Sequence, residues 1–348
     1  MTAPAITPML VRFGRMGDMV QQAPLLHLLH RRYGQPCILL SAGAWSTPLY
    51  TGNPDVGALW QLRTRHTPFV LSPRRWLLVR DLRRYDGPIY ISDDVPRQVE
   101  KIRNLLMRAG VPRERCLFLV DSNEIHSVHG VDRLLDFGRL TPAAYAATDY
   151  PWQEGDLQRA PCLPISVSDR VDRDAWLRQH QFDGRPLVLL QPGNKRTSRR
   201  KRSRQIDNKA WPTERWAALL RAMRERLPDA QLLLCGSTHE ASLLQEIRRG
   251  SGLQKVAIAT RDLPLRRLLA LAEIAHSMVA VDTGPAHVAA AGGCPLVVLY
   301  GPQSPEHWDR RSAFGRPVIN LGGAQPGGRV DVIDLDSVVR AWSSIACG

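Results

Sequence analysis

Four short segments of the chain carry side chains able to do chemistry. Asp18 closes Gly14-Arg-Met-Gly17-Asp18, a glycine turn between the apolar run Met9–Phe13 and a helical pattern. A carboxylate there has two readings. It caps the helix, where the macrodipole favours it, or it removes a proton from a bound hydroxyl as a general base. Asp282-Thr-Gly-Pro-Ala-His287 follows the apolar run Met278–Val281 and opens a helix of small residues. A helix start offers free N–H groups and partial positive charge, which suit a phosphate or diphosphate. Asp282, Thr283 and His287 add polar side chains at that mouth; the plainer alternative is a capped helix with a surface histidine. Lys209 stands just before the helix opening Pro212-Thr213-Glu214, a point charge suited to a diphosphate. Glu240 follows Gly236 at the tip of the apolar run Gln231–Cys235, where nucleotide-binding folds commonly place an acid for ribose hydroxyls.

Each segment sits where a strand pattern gives way to a helix pattern. The first apolar run leads to a helix striped by Leu25, Leu26, Leu28 and Leu29 and ended by Tyr33-Gly34. Strands are expected at Cys37–Ser41, Ile89–Ser92 and Arg115–Val120, with a helix over Arg97–Ala109. Arg74–Tyr85 reads as a basic amphipathic surface helix, or alternatively as a contact for anionic lipid or acceptor phosphates. Between Tyr150 and Asp183 proline and charge weaken the pattern, leaving one short helical piece over Asp172–His180. It restarts with strands at Pro186–Leu190, Gln231–Cys235, Lys255–Ile258, Met278–Val281 and Leu296–Tyr300. Alternating strands and helices imply parallel βαβ units.

The chain is therefore expected to be α/β, with two Rossmann-like domains whose parallel sheets face a central cleft. Residues 1–165 form the first and 184–330 the second, with 166–183 as linker. A C-terminal helix over 331–348 is expected to pack back on the first domain. The dinucleotide spacing G-x-G-x-x-G is not met, and no P-loop occurs.

Composition narrows the function. With 44% hydrophobic residues in 348, wholesale disorder is excluded. No apolar run reaches the roughly 18 residues of a membrane span, and Met1–Met9 lacks the pattern of a secretory signal. Six scattered cysteines without a CxxC read as reduced cytosolic thiols, so a cytoplasmic protein is expected, without a metal site. The net charge of +14 asks for a polyanionic partner: nucleic acid, an anionic membrane, or a phosphorylated substrate. Residues 195–209 hold eight basic side chains and one acidic, half of that excess. No RRM, zinc-finger or helix-turn-helix signature accompanies it, which argues against nucleic acid.

In these residues the chain resembles glycosyltransferase family 9, the bacterial heptosyltransferases that build the inner core of lipopolysaccharide. The resemblance runs in order through Gly14–Asp18, Leu190-Gln-Pro-Gly193, Lys209-Ala-Trp-Pro212 and Gly236 to Glu240. It ends with Asp282-Thr-Gly-Pro-Ala-His287 and Leu299-Tyr-Gly-Pro302. It implies a GT-B fold and an inverting, metal-independent transfer from a nucleotide-sugar, typically ADP-heptose, with no cofactor besides this co-substrate. The acceptor would be a phosphorylated lipid-linked saccharide, with peripheral contact to the inner membrane. Asp18 matches the base and Lys209 the lysine at the donor diphosphate or sugar. Glu240 matches the acid near the adenosine ribose, and Asp282 the donor-sugar contact. Thr283, Gly284 and His287 match the phosphate mouth. Gly17, Asn194, Lys195, Arg199 and Arg200 are candidate phosphate or acceptor contacts, although the insert before Lys209 is longer and more basic than the family pattern. Nothing in the sequence demands more than a monomer. The alternatives are another GT-B nucleotide-sugar enzyme, with a different donor or acceptor or an epimerase, and a basic nucleic-acid-binding protein.

Overall fold

The computed structural model describes residues 5–62, 73–122, 125–182, 184–194, 207–323 and 327–346. The chain divides into two compact units, Met1–Arg159 and Ala160–Gly348.

The first unit is built on a parallel sheet of β1 (Met9–Arg12), β2 (Cys37–Ala42), β3 (Val56–Leu62), β4 (Ile89–Ile91) and β5 (Cys116–Phe118), in the order β3-β2-β1-β4-β5. Met9 lies in register with Ile38 on one side and Ile89 on the other. The short helix α1 (Met16–Val20) leads into α2 (Ala23–Tyr33), which ends at Gly34 in the left-handed conformation that favours glycine. Next come α3 (Ser46–Tyr50), α4 (Pro73–Arg84), α5 (Pro96–Ala109) and α6 (Gly130–Arg139). Leu78 and Leu82 of α4 and Ile102 and Leu106 of α5 bury against Val11, Leu40 and Ile91. Helix α2 packs on α6 through Leu28, Val131 and Leu135. Strands buried through their length need such cover on both faces.

The second unit repeats the plan with β6 (Leu187–Gln191), β7 (Gln231–Cys235), β8 (Val256–Ala259), β9 (Ser277–Val281), β10 (Leu296–Tyr300) and β11 (Val318–Gly322), ordered β11-β10-β9-β6-β7-β8. Its helices are α7 (Val167–Gln179), α8 (Thr213–Arg226), α9 (Ala241–Ser251), α10 (Leu265–Ile274), α11 (Gly284–Ala291), α12 (Pro305–Trp308) and α13 (Leu335–Ala346). Trp216, Leu220, Leu232, Val279 and Val297 form the centre of its core. Each strand order reverses once, between β1 and β4 and between β6 and β9. Open α/β sheets bind ligands at the carboxyl side of such a reversal.

Two boundary expectations are corrected. The stretch 166–183 is no linker, since α7 lies within it and belongs to the second unit. It is tied to α10 and its flanks by Arg170 and Arg173 on Glu273, Arg267 on Asp172, and Arg266 on Asp169. Its charge-rich sequence is the surface of a docked helix. The C-terminal helix is likewise part of the second unit's own core. Val338 and Trp342 of α13 are buried there, and the indole of Trp342 donates to Ser277 Oγ at 2.8 Å.

Candidate active site

The first unit presents Asp18 at its reversal point. Asp18 is the third residue of α1, after the partly exposed Gly17. Its Oδ2 accepts the Arg15 N–H at 2.7 Å, so the helix-capping role is real. Its Oδ1 stands 3.8 Å from the buried guanidinium of Arg12, and the side chain keeps 24% exposure. A Cβ on Gly14 would lie 2.6 Å from Asp18 Cβ, so this turn closes only around glycine. Arg12 also donates to Ser92 O at 2.5 Å and to Asp94 Oδ1 at 3.0 Å. Asp93 accepts the Phe13 N–H at 2.6 Å. Burial pushes the Asp93 carboxyl above its ordinary value against the pull of Arg12. Sequence reasoning missed Arg12, Asp93 and Asp94. Their signal was available: charged residues ending one strand and following its neighbour, on the carboxyl edge where open sheets place ligands.

In the second unit Thr283 is the N-cap of α11, with extended backbone at φ −145° and ψ 164°, and Gly284 begins the helix. Among the described residues the Thr283 Oγ1 is buried without a hydrogen-bond partner. Asp282, just before it, is held by two cations: Lys209 Nζ lies 2.5 Å from Oδ2 and Arg310 Nη2 lies 2.6 Å from Oδ1. Burial would raise the Asp282 carboxyl, but Arg310 and Lys209 outweigh it and hold it far below the usual carboxylate range. Arg310 has no exposed side-chain surface, and it donates to Tyr300 Oη at 2.6 Å and to Thr283 O at 3.3 Å. Burial pushes the Tyr300 phenol up to about 12. His287, on the first turns of α11, is buried; desolvation, aided by Arg310, holds its pKa well below the ordinary value, so the ring is neutral at pH 7.

Lys209 owes its position to a scaffold at the base of the basic insert. Asn194, in the turn after β6, donates from Nδ2 to Asp207 Oδ2 at 3.0 Å and to Lys209 O at 3.3 Å. Asp207 Oδ1 accepts the Lys209 N–H at 3.1 Å. Gly301 lets this segment approach, since a Cβ there would collide with Asn208 O. Asn194 is thus placed as a support for Lys209. Lys195, Arg199 and Arg200 lie outside the described residues. Glu240 is buried, and its Oε2 accepts from Ser237 N and Ser237 Oγ, both at 2.7 Å. Its Oε1 lies against Gly193, in the space that a Cβ on that residue would fill.

The second unit therefore brings Lys209, Asp282, Thr283, Gly284 and His287 to the end of β9, and Glu240 to the neighbouring ends of β6 and β7. Arg310 was invisible in the sequence: no motif surrounds it, and only the fold shows what it pairs with. Among the described residues no group of three or more His, Cys, Asp or Glu could hold a metal ion.

Comparison with known proteins agrees with this arrangement. A family model described as glycosyltransferase family 9 (heptosyltransferase) matches residues 143–325. Lipopolysaccharide heptosyltransferase 2 of Escherichia coli K12 is 25% identical over 341 residues, 92% of each chain. The crystal structure of the family 9 glycosyltransferase from Veillonella parvula DSM 2008 superposes with a TM-score of 0.76 at 15% identity, covering 100% of this chain and 99% of that one. The E. coli heptosyltransferase WaaC with ADP-2-deoxy-2-fluoro heptose gives 0.66 at 16% identity, over 97% and 99%. The two parallel α/β domains are those of a GT-B fold. Motif order, fold and family match converge: this chain belongs to glycosyltransferase family 9, the heptosyltransferase family, and is a glycosyl-transferring enzyme.

Proposed function

We propose that the enzyme transfers heptose from ADP-heptose to a phosphorylated saccharide acceptor of the lipopolysaccharide inner core, with inversion and without a metal. The observation that carries this reading is the Lys209–Asp282–Arg310 cluster at the start of α11. It puts a lysine and a helix N-terminus side by side where a departing diphosphate needs positive charge. The ADP-2-deoxy-2-fluoro heptose held by the similar WaaC enzyme supports the choice of donor.

In the proposed reaction Asp18 takes the proton of the acceptor hydroxyl, whose oxygen attacks the anomeric carbon from the face opposite the diphosphate. The bond from that carbon to the β-phosphate oxygen breaks, its electron pair leaves with ADP, and one displacement inverts the centre. Lys209 and the N–H groups around Gly284 receive the developing charge, and Thr283 Oγ1 donates to a phosphate oxygen. Asp282 stays ionised because two cations hold it, so it can accept hydrogen bonds from donor-sugar hydroxyls. Neutral His287 can donate without adding charge. Glu240 serves the adenosine ribose. Asp18 and the diphosphate groups belong to different units, so neither unit completes the reaction alone. With a lipid-linked acceptor as proposed, we infer that the enzyme works in the cytoplasm at the membrane face.

Asp18→Ala should lower transfer by about 10²–10⁴-fold, while the rise in thermal midpoint produced by ADP is retained. Full transfer by this variant would remove Asp18 from the base role. Protection by UDP or GDP in place of ADP would overturn the donor.

A further inference from the structure

We infer that α4 is a membrane-docking helix which seats the first unit on an anionic lipid bilayer. The proposal rests on the lipid-linked acceptor above and names the surface that meets the lipid. Helix α4 has a dual character. Leu78 and Leu82 are buried in the core of the first unit. Yet Trp76 and Leu77 are 56% and 50% exposed. A bilayer interface would cover the exposed apolar surface of both side chains.

Charge selects the kind of surface. Pro73–Arg84 contains five arginines, Arg74, Arg75, Arg80, Arg83 and Arg84, against one acid, Asp81, which pairs with Arg80 at 3.0 Å. At 100° per residue, Trp76, Leu77, Arg80, Arg83 and Arg84 share the arc opposite Leu78 and Leu82. Apolar side chains flanked by arginines match an interface of acyl chains below anionic headgroups.

Topology then says which way this surface faces. Helix α4 connects β3 to β4 in a parallel sheet, so it runs antiparallel to the strands. Its N-terminal half, with Trp76 and Leu77, therefore lies toward the carboxyl edge of the sheet, the edge that carries Asp18. The loops after β2 and β4 expose Trp45 and Val95 on that same edge. A bilayer met by this edge would bring lipid-linked acceptors to the side where the proposed base stands. Among the described residues no helix is long and apolar enough to cross a membrane, so the contact proposed is peripheral.

The test is flotation of the full chain with vesicles of phosphatidylethanolamine and phosphatidylglycerol, beside vesicles of phosphatidylcholine. The wild type should bind the anionic vesicles and release them at high salt. Trp76→Glu with Leu77→Glu should weaken that binding by about tenfold or more, with cooperative unfolding and ADP protection unchanged. Should the double variant fail to fold, Trp76→Ser and Leu77→Ser taken singly carry the same expectation. Equal binding by wild type and variants, or equal binding to both kinds of vesicle, overturns the proposal. So does loss of binding on neutralising Arg199, Arg200, Lys201 and Arg202 while the α4 variants still bind. The vesicles contain no acceptor, so failure of heptosyl transfer leaves this result standing, and failure of docking leaves the transfer reading standing.

Discussion

Arg310 and Asp282 form the pair on which most depends at the scale of single residues. Removing one partner of a buried ion pair strands the other. Asp282→Asn would leave Arg310 buried against a neutral amide and should cost about 3–5 kcal/mol of stability. The pH dependence has a definite sign. The folded carboxyl lies below its ordinary value of about 3.9, so the unfolded chain takes up the proton first. The advantage of wild type over Asp282→Asn should be full above that value and shrink only as pH falls beneath it, followed as thermal midpoints. A gap that closed between pH 7 and pH 5 would point to another group. The positions of Asp18, Lys209, Glu240 and Asp282 beside strand ends or helix starts were legible because such junctions advertise themselves locally. Arg310 was not, because its partners Asp282 and Tyr300 lie 28 and 10 residues away and only the fold joins them.

Among the elements, the turns after β6 and β7 are mutually dependent. Gly193 exists where it does because Glu240 occupies the space a side chain would need. Gly193→Ala should push the carboxylate away from Ser237, costing about 1–3 kcal/mol. If Glu240 meets the ribose, affinity for ADP should fall in the same variant, as calorimetry would measure. Unchanged affinity would separate Glu240 from the nucleotide. Strand periodicity exposed the central strands of both sheets and the edge strands β5 and β8, but neither β3 nor β11. Both are edge strands, only partly buried along their length, so neither presents the unbroken apolar run of a central parallel strand. Helix α7 was legible only in part, as a short piece over Asp172–His180, for a related reason. The arginine–carboxylate pairs that hold it down resemble linker composition until the partners are seen.

At the level of the whole molecule, each unit has its own core and its own reversal point. Residues 160–348, expressed alone, should unfold cooperatively and bind ADP while transferring no sugar, measured by calorimetry and a transfer assay. A fragment that stayed unfolded would show that the second core needs the first. The excess of positive charge, which the sequence left open among several polyanions, now has two addresses: residues 195–209 in one unit and α4 in the other.

The bond between Asn194 and Asp207 fastens the two ends of the basic insert before the chain reaches Lys209. The chain thereby leaves at Asn194 and returns at Asp207 to one place. Enlarging a closed loop costs only about 0.6 kcal/mol for each doubling of its length. Changes of length or charge in the sequence between Asn194 and Asp207 should therefore leave the placement of Lys209 fixed.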